Sequence, residues 1–291
     1  MTDLSKTKDL LEKFQILPRQ SLGQNFLVAE SSIKKIIELS HLSSDDQVLE
    51  IGPGCGALTG PMLDLVDELT AYEIDSRLIG LLQERFSDHE NFRLHQADIL
   101  QVNLHKEMVG RNALKLVANL PYYISSACIE KVICELPYIK SLSLMLQKEA
   151  ADRLTLKENQ SRYGVTAILL RLFGRVEGSF KLGPNSFYPR PKVQSQVLFI
   201  QADPNSYFKK RLAQDPDFQV DDFRKFLVNA FAMRRKTLVN NLKAAYPDLQ
   251  PDLFTYILAE LGIQDRQRPE EIAPEKFWQL FDSVAEYVSN Y

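Results

Sequence analysis

A chain of 291 residues, 45% hydrophobic and 25% charged, carries enough apolar surface for a full core and leaves room for one large and one small domain. Its formal charge of -3 excludes a global attraction to nucleic acid, so any surface for a polyanion must be a local basic patch with acids segregated elsewhere. No apolar run approaches the roughly 20 residues of a membrane span and no apolar leader core is present, so a cytoplasmic protein is expected. Cys55, Cys128 and Cys134 lack metal-ligand spacing and predict reduced thiols. His41, His89, His95 and His105 stand singly near turns and strand ends, so no metal is expected.

Residues 1–17 mix charges with Leu10, Leu11, Phe14 and Ile16, the pattern of a loose amphipathic extension. Residues 18–27 combine Arg19, Gln20, Gln24 and Asn25 with Phe26 and Leu27, too polar for a core strand and too apolar for a free linker, and read as a binding segment. Ser31 and Ser32 offer an N-cap for a helix running to about Leu42. A strand over 47–51 then enters Gly52-Pro53-Gly54-Cys55-Gly56, where glycines let the backbone turn sharply into a helix. The spacing Gly52-x-Gly54-x-x-Ala57 satisfies the loose dinucleotide fingerprint, which alone is weak.

The neighbouring strands strengthen it. A strand over 69–74 ends at Glu73, with Asp75 just beyond, roughly 20 residues past the glycines, where nucleotide-binding α/β folds place a carboxylate for ribose hydroxyls. A strand over 91–95 leads to Asp98, placed to bond an adenine amino group, and one over 114–118 runs into Asn119-Leu120-Pro121-Tyr122. Helical patterns over 58–68, 76–86 and 125–136 alternate with these strands and predict a parallel sheet with helices on both faces and ligands at the strands' carboxyl ends.

Downstream, the pattern predicts a strand over 139–146, a short helix over 148–156 and an apolar helix over 163–173. Alternation over 175–181 and 193–200 predicts an antiparallel pair closing one edge of the sheet. The loop 183–192 between them holds three prolines that fix its backbone, with Phe187, Tyr188, Arg190 and Lys192 left for a nucleic-acid contact. Asp203-Pro204-Asn205-Ser206 marks a boundary, giving an extension over 1–17, a main domain over 18–204 and a small helical domain over 205–291. Its helices are predicted over 221–233, 235–245, 252–261 and 274–287, with Phe277, Trp278 and Phe281 facing a core. Between Phe223 and Pro247 stand six basic residues and no acidic one, a candidate polyanion face that includes Arg234, Arg235 and Lys236.

Ser21-Leu-Gly-Gln-Asn-Phe-Leu27, the Glu50-x-Gly-Pro-Gly-x-Gly56 run, Asn119-Leu-Pro-Tyr122, Leu146-Gln-Lys-Glu149, Pro189-Arg-Pro-Lys-Val193 and Arg234-Arg-Lys-Thr237 occur in an order that resembles the ribosomal RNA adenine dimethyltransferases from Pro18 onward. The resemblance implies a Rossmann-like class I methyltransferase domain with a small C-terminal helical domain. It implies S-adenosylmethionine as methyl donor, without a metal, and 16S rRNA of the small ribosomal subunit or its precursor as substrate, methylated by a monomer. It assigns Asn25, Leu27, Gly52, Gly54, Glu73, Asp98 and Asn119 to the donor. Asn119, Leu120, Pro121 and Tyr122 are assigned to catalysis, and Phe187, Arg190, Lys192, Arg234, Arg235 and Lys236 to RNA. Relatives often carry proline where Arg190 stands and asparagine where Tyr123 stands.

An adenine N6 amine is a poor nucleophile because its lone pair is shared with the ring. Acceptors from the Asn119 side chain and the Leu120 carbonyl would take the two N6 hydrogens and aim that lone pair, while Tyr122 offers a face for an extruded base. Three alternatives stay open: a dinucleotide-dependent oxidoreductase, which leaves Asn-Leu-Pro-Tyr without a role, a resistance methyltransferase of large-subunit RNA, and a non-catalytic ribosome-assembly or transcription factor on the same fold.

Overall fold

The computed structural model describes residues 4–160 and 162–289, which fold as two compact units. Of the expected extension, residues 1–3 lie outside the described residues.

The first unit comprises residues 4–132, 138–151 and 175–202. It opens with α1 (Leu4–Lys13), which buries Thr7 and Leu11, and then forms β1 (Phe26–Leu27), α2 (Glu30–Leu39) and β2 (Gln47–Ile51). The alternation continues through α3 (Thr59–Leu63), β3 (Glu68–Glu73), α4 (Ser76–Arg85), β4 (Phe92–Gln96), α5 (Leu104–Glu107), β5 (Leu114–Asn119), α6 (Ser125–Glu135), β6 (Ser141–Gln147) and α7 (Lys148–Leu154). α8 (Val165–Phe173) precedes β7 (Gly174–Leu182), β8 (Phe187–Tyr188) and β9 (Ser195–Ala202).

Seven strands form one sheet in the order β4-β3-β2-β5-β6-β9-β7. β4, β3, β2, β5 and β6 are mutually parallel, and β9 joins β6 antiparallel, with Ser141 opposite Gln201 and Gln147 opposite Ser195. The predicted edge pair is therefore present as β9 and β7. Central strands are covered on both faces, and β2 and β5 bury Val48, Leu49, Leu116 and Val117 there, interrupted only by the buried Glu50 and by Lys115, which pairs with Asp46. β1 and β8 form a separate ribbon, with Phe26 opposite Tyr188 and Leu27 opposite Phe187.

Several local expectations change. The helix expected over 58–68 stops at Leu63, where the Asn91 side-chain amide donates to the Leu63 carbonyl (3.1 Å) and to that of Val66 beyond the helix (3.0 Å). Ser31 and Ser32 do not cap α2: the cap position is Ala29, Glu30 places its acid in the first turn, and Ser32 is buried beside the Ser186 hydroxyl.

The second unit comprises residues 133–137, 152–174 and 203 onward. It contains α9 (Tyr207–Gln214), α10 (Val220–Ala230), α11 (Leu238–Ala245), α12 (Pro251–Glu260) and α13 (Pro274–Ser289). α8, which the sequence reading left inside the main domain, packs here against α9, α10 and α13. Its Ala167, Ile168, Leu169, Leu170, Leu172 and Phe173 are all buried, so it needs helices on several sides. Phe223, Trp278 and Phe281 meet in tilted and edge-on contacts as the aromatic centre of the bundle, with Phe223–Trp278 centroids 4.9 Å apart. The expected helix over 235–245 begins only at Leu238; Arg234, Arg235 and Lys236 stand exposed in the turn before it.

Candidate functional site

At the carboxyl ends of β2, β3 and β5 lies a cleft of about 250 Å³, lined among others by Gly23, Asn25, Gly52, Gly54, Glu73, Ile74, Asp98, Asn119, Pro121 and Tyr122. The β2–α3 turn forms its floor. Gly52, Gly54 and Gly56 have φ of +70°, +59° and +79°, the left-handed region that side chains rarely adopt. Space imposes the same choice at Gly56, where a Cβ would lie 2.5 Å from the Phe86 ring. A Cβ on Gly54 would approach the Phe26 ring to 3.1 Å, so β1 packs directly on the turn.

Glu73 ends β3, is 5% exposed, and accepts the N–H of Asp75 at 2.9 Å and of Gly54 at 3.3 Å. Burial pushes its pKa up, partly offset by those N–H groups. Beside it Ile74 is 46% exposed, an apolar surface at a strand end flanked by two acids. With Ile99 and Leu100 it gives the cleft a wall suited to a flat heteroaromatic ring. Asp98 is half-buried and accepts the Leu100 N–H at 3.0 Å.

The other end of the cleft is built by β5 and the turn into α6. Asn119 donates its side-chain amide to the Asn25 carbonyl at 3.3 Å, and its side-chain oxygen takes no hydrogen bond from the described residues. Leu120 is anchored by its N–H on the Met145 carbonyl (3.2 Å) with its side chain buried, and its own carbonyl accepts nothing from the described residues. Pro121 packs near Gly23, whose Cβ position is 3.5 Å from the proline Cβ. Tyr122 is half-buried, with its hydroxyl 3.4 Å from that of Ser195. Two uncommitted acceptors thus stand side by side next to an aromatic ring.

Of the expected donor residues, Asn25, Gly52, Gly54, Glu73, Asp98 and Asn119 all line this cleft. Leu27 does not: it is 3% exposed and borders a smaller cavity of about 20 Å³ behind the glycine turn, with Glu50, Cys55 and Asn119. Sequence reading passed over Ile74, Leu100 and the cleft role of Tyr123; an apolar residue beside a strand-end acid was the available signal for the first.

The RNA residues fare unevenly. Phe187 is 2% exposed and lies opposite Leu27 in the core, so it presents no face to a base, and its assignment is corrected. Arg190 and Lys192 are exposed on the loop of the first unit. In the basic run of the second unit, Arg224 and Lys225 pair with Asp221 and Asp222 just upstream, whereas Arg234, Arg235 and Lys236 are exposed and meet no acid among the described residues.

A family profile described as "Ribosomal RNA adenine dimethylase" matches residues 17–286. The chain belongs to this family. It is 35% identical over 281 residues to the ribosomal RNA small subunit methyltransferase A of Clostridium botulinum (strain Okra / Type B1), covering 96% of this chain and 98% of the relative. It is 36% identical to the protein of the same name from Natranaerobius thermophilus, covering 96% and 95%. Among solved structures, a dimethyladenosine transferase from Plasmodium falciparum superposes with a TM-score of 0.72 at 26% identity, covering 90% of this chain and 98% of that one. The protein is therefore an enzyme, an rRNA adenine dimethylase. Among the described residues no group of three or more His, Cys, Asp or Glu could hold a metal, and no helix is long and apolar enough to cross a membrane.

Glu50 adds a pH-dependent feature beneath the dimethylase cleft. It is 1% exposed and accepts the Thr59 hydroxyl at 2.7 Å, and burial raises its pKa from 4.5 to about 8. The folded protein then holds a proton that the unfolded chain releases, so this contribution to stability is full below about pH 4.5 and is lost as pH rises through about 8. The wild-type melting temperature is expected to fall between pH 6 and pH 8 by more than that of Glu50→Gln. Equal falls in differential scanning calorimetry would show that Glu50 does not carry the slope.

Proposed function

We propose that the enzyme transfers methyl groups from S-adenosylmethionine to N6 of two adjacent adenines in a hairpin loop near the 3′ end of small-subunit (16S) rRNA, giving N6,N6-dimethyladenosine during small-subunit biogenesis. The observation that carries this reading is the pair of uncommitted acceptors, the Asn119 side-chain oxygen and the Leu120 carbonyl, at the end of a cleft whose other end holds Glu73, Ile74 and Asp98.

The cleft fits the donor by its chemistry: a carboxylate at the end of β3 for ribose hydroxyls, apolar surface for a purine, and glycine backbone that lets a ligand approach closely. When bound, S-adenosylmethionine supplies an electrophilic methyl on a sulfonium. Asn119 and Leu120 accept the two N6 hydrogens of the target adenine and aim its lone pair at that carbon. The same acceptors stabilise positive charge as it develops on nitrogen. Tyr122, held at Ser195, gives the extruded base a stacking face, and an unpaired loop base is cheap to extrude. No covalent intermediate is needed, and no strong base, because the methylated amine is acidic enough to lose its proton to water.

The test is mass mapping of undermethylated small subunits, and of large subunits in parallel, after incubation with enzyme and donor. Two methyl groups on each of two adjacent adenines of the small subunit are expected. Methylation confined to large-subunit RNA, or none, would sink the reading.

Arg234, Arg235 and Lys236 are proposed phosphate contacts of the second unit. They lie in the turn before α11 and not on one face of a helix, so all three can reach phosphates. Changing all three to glutamine is expected to leave donor binding intact and to flatten the log affinity against log salt slope by about two units, at roughly 0.7 per single-stranded contact. An unchanged slope would move the RNA surface to Arg190 and Lys192.

A further inference from the structure

The segment leading into β1 is tied to the head of α4 by hydrogen bonds that meet on one carboxylate. Arg77 Nη1 donates to the Leu17 carbonyl at 3.0 Å, and its Nε and Nη2 donate to the two oxygens of Asp75 at 2.9 and 2.5 Å. Asp75 Oδ2 also accepts Gln24 Nε2 at 2.7 Å. The Gln24 side-chain oxygen accepts the Arg19 N–H at 2.7 Å, and the Gln24 N–H returns to the Arg19 carbonyl at 3.3 Å. Both ends of the stretch 17–24 are therefore held to Asp75, one through Arg77 and one through Gln24.

Asp75 is unsuited to be a donor ligand. Its side chain is 1% exposed, and its oxygens are taken by the guanidinium fork, by Gln24 and by the Arg77 N–H that it caps at 3.2 Å. The Arg77 hydrogen bonds hold its pKa down at about 2, so it stays ionised wherever the enzyme works. Glu73, two residues earlier, has only backbone N–H groups on its oxygens and lines the cleft. The two acids at the end of β3 thus have different tasks.

What the tie controls is the cleft wall. Leu22, Gly23, Gln24, Asn25 and Phe26 form one side of the cleft, and the Asn25 carbonyl takes the Asn119 amide. A wall made by a loop whose regular structure is one short helical turn, Gln20–Leu22, must be ordered either before ligand arrives or at the expense of binding.

We propose that Gln24, Asp75 and Arg77 are positioning residues for methyl transfer: they fix the 17–26 wall in its binding geometry ahead of the donor, without taking part in the chemistry. This rests on the reading that the cleft holds S-adenosylmethionine. Charge-assisted hydrogen bonds that are partly shielded from water are strong enough for the purpose, and removing either link frees one end of the stretch.

Gln24→Ala and Arg77→Ala both leave the Asp75 cap of α4 in place. Calorimetry with S-adenosylmethionine is expected to give about a tenfold weaker affinity for each. Single-turnover methylation at saturating donor is expected to change by less than about threefold. Because both links serve one wall, the double variant should bind within about twofold of the weaker single one rather than at the product of the two losses. Hydrogen exchange should rise at the amides of 17–26 in the donor-free variants while the β2, β5 and β6 amides keep wild-type protection. Unchanged donor affinity in either folded variant, or losses that multiply in the double variant, would overturn the proposal. Wild-type protein that takes up no S-adenosylmethionine would overturn the reading beneath it, whereas wild-type uptake with unaltered variants overturns the proposal alone.

Discussion

Asn119→Ala is expected to slow methyl transfer at least a hundredfold while changing RNA affinity by less than about twofold. The side-chain oxygen of Asn119 is one of two acceptors at the end of β5 that no described residue occupies, and removal of one prearranged partner of developing charge commonly reduces turnover by a factor of about 10² to 10³. Removing it leaves the Leu120 carbonyl to orient the amine alone. The Asn119 amide also braces the Asn25 carbonyl, so a modest loss of donor affinity should accompany the rate loss. Single-turnover methylation at saturating donor separates the two. A rate near wild type under those conditions would remove Asn119 from the orientation mechanism.

Glu73→Ala is expected to weaken S-adenosylmethionine binding roughly tenfold to hundredfold, since charge-assisted hydrogen bonds contribute on the order of 1.5 to 3 kcal/mol. Glu73 is the strand-end acid with acceptor capacity left over, because only backbone N–H groups, chiefly those of Asp75 and Gly54, reach its oxygens. Its ionised form is the one that accepts hydroxyls. Burial raises its pKa, so wild-type donor affinity should decline on acidification at a higher pH than an exposed glutamate would give. Glu73→Gln should bind more weakly at neutral pH and flatten that decline. Calorimetry across pH reads both, and wild-type affinity in folded Glu73→Ala would exclude the residue from the donor site.

Much of the catalytic unit was legible because its determinants are local. A strand, a turn with glycines at fixed positions and a helix repeat the same short-range pattern, and each strand runs in the same direction, so Glu73, Asp98 and Asn119 necessarily come to one edge of the sheet. The positive φ values at Gly52, Gly54 and Gly56 express in geometry what the glycine spacing already implied.

The misreadings share a different cause. Phe187 looked available because aromatic and basic residues alternate around prolines, yet its ring is buried by pairing with Leu27 far earlier in the chain. The basic window from Phe223 looked unbroken because Asp221 and Asp222 lie just outside it, and one helical turn brings them onto Arg224 and Lys225. α3 ends at Leu63, where the Asn91 side chain, just before β4, takes the Leu63 carbonyl and that of Val66 beyond the helix.

By itself, then, the amino-acid sequence determined the parallel α/β order, the glycine turn, the strand-end acids and the Asn-Leu-Pro-Tyr acceptors, since period, turn chemistry and spacing act within a few residues. Only the tertiary structure gives the physical reason that Glu73 and not its neighbour Asp75 faces the cleft. Glu73 and Asp75 are alike as residues; Gln24, 51 positions before Asp75, and Arg77 claim one and leave the other. It also decided that α8 packs with the carboxy-terminal helices, because a helix apolar on several sides goes wherever enough apolar surface surrounds it, and no local pattern records where that is.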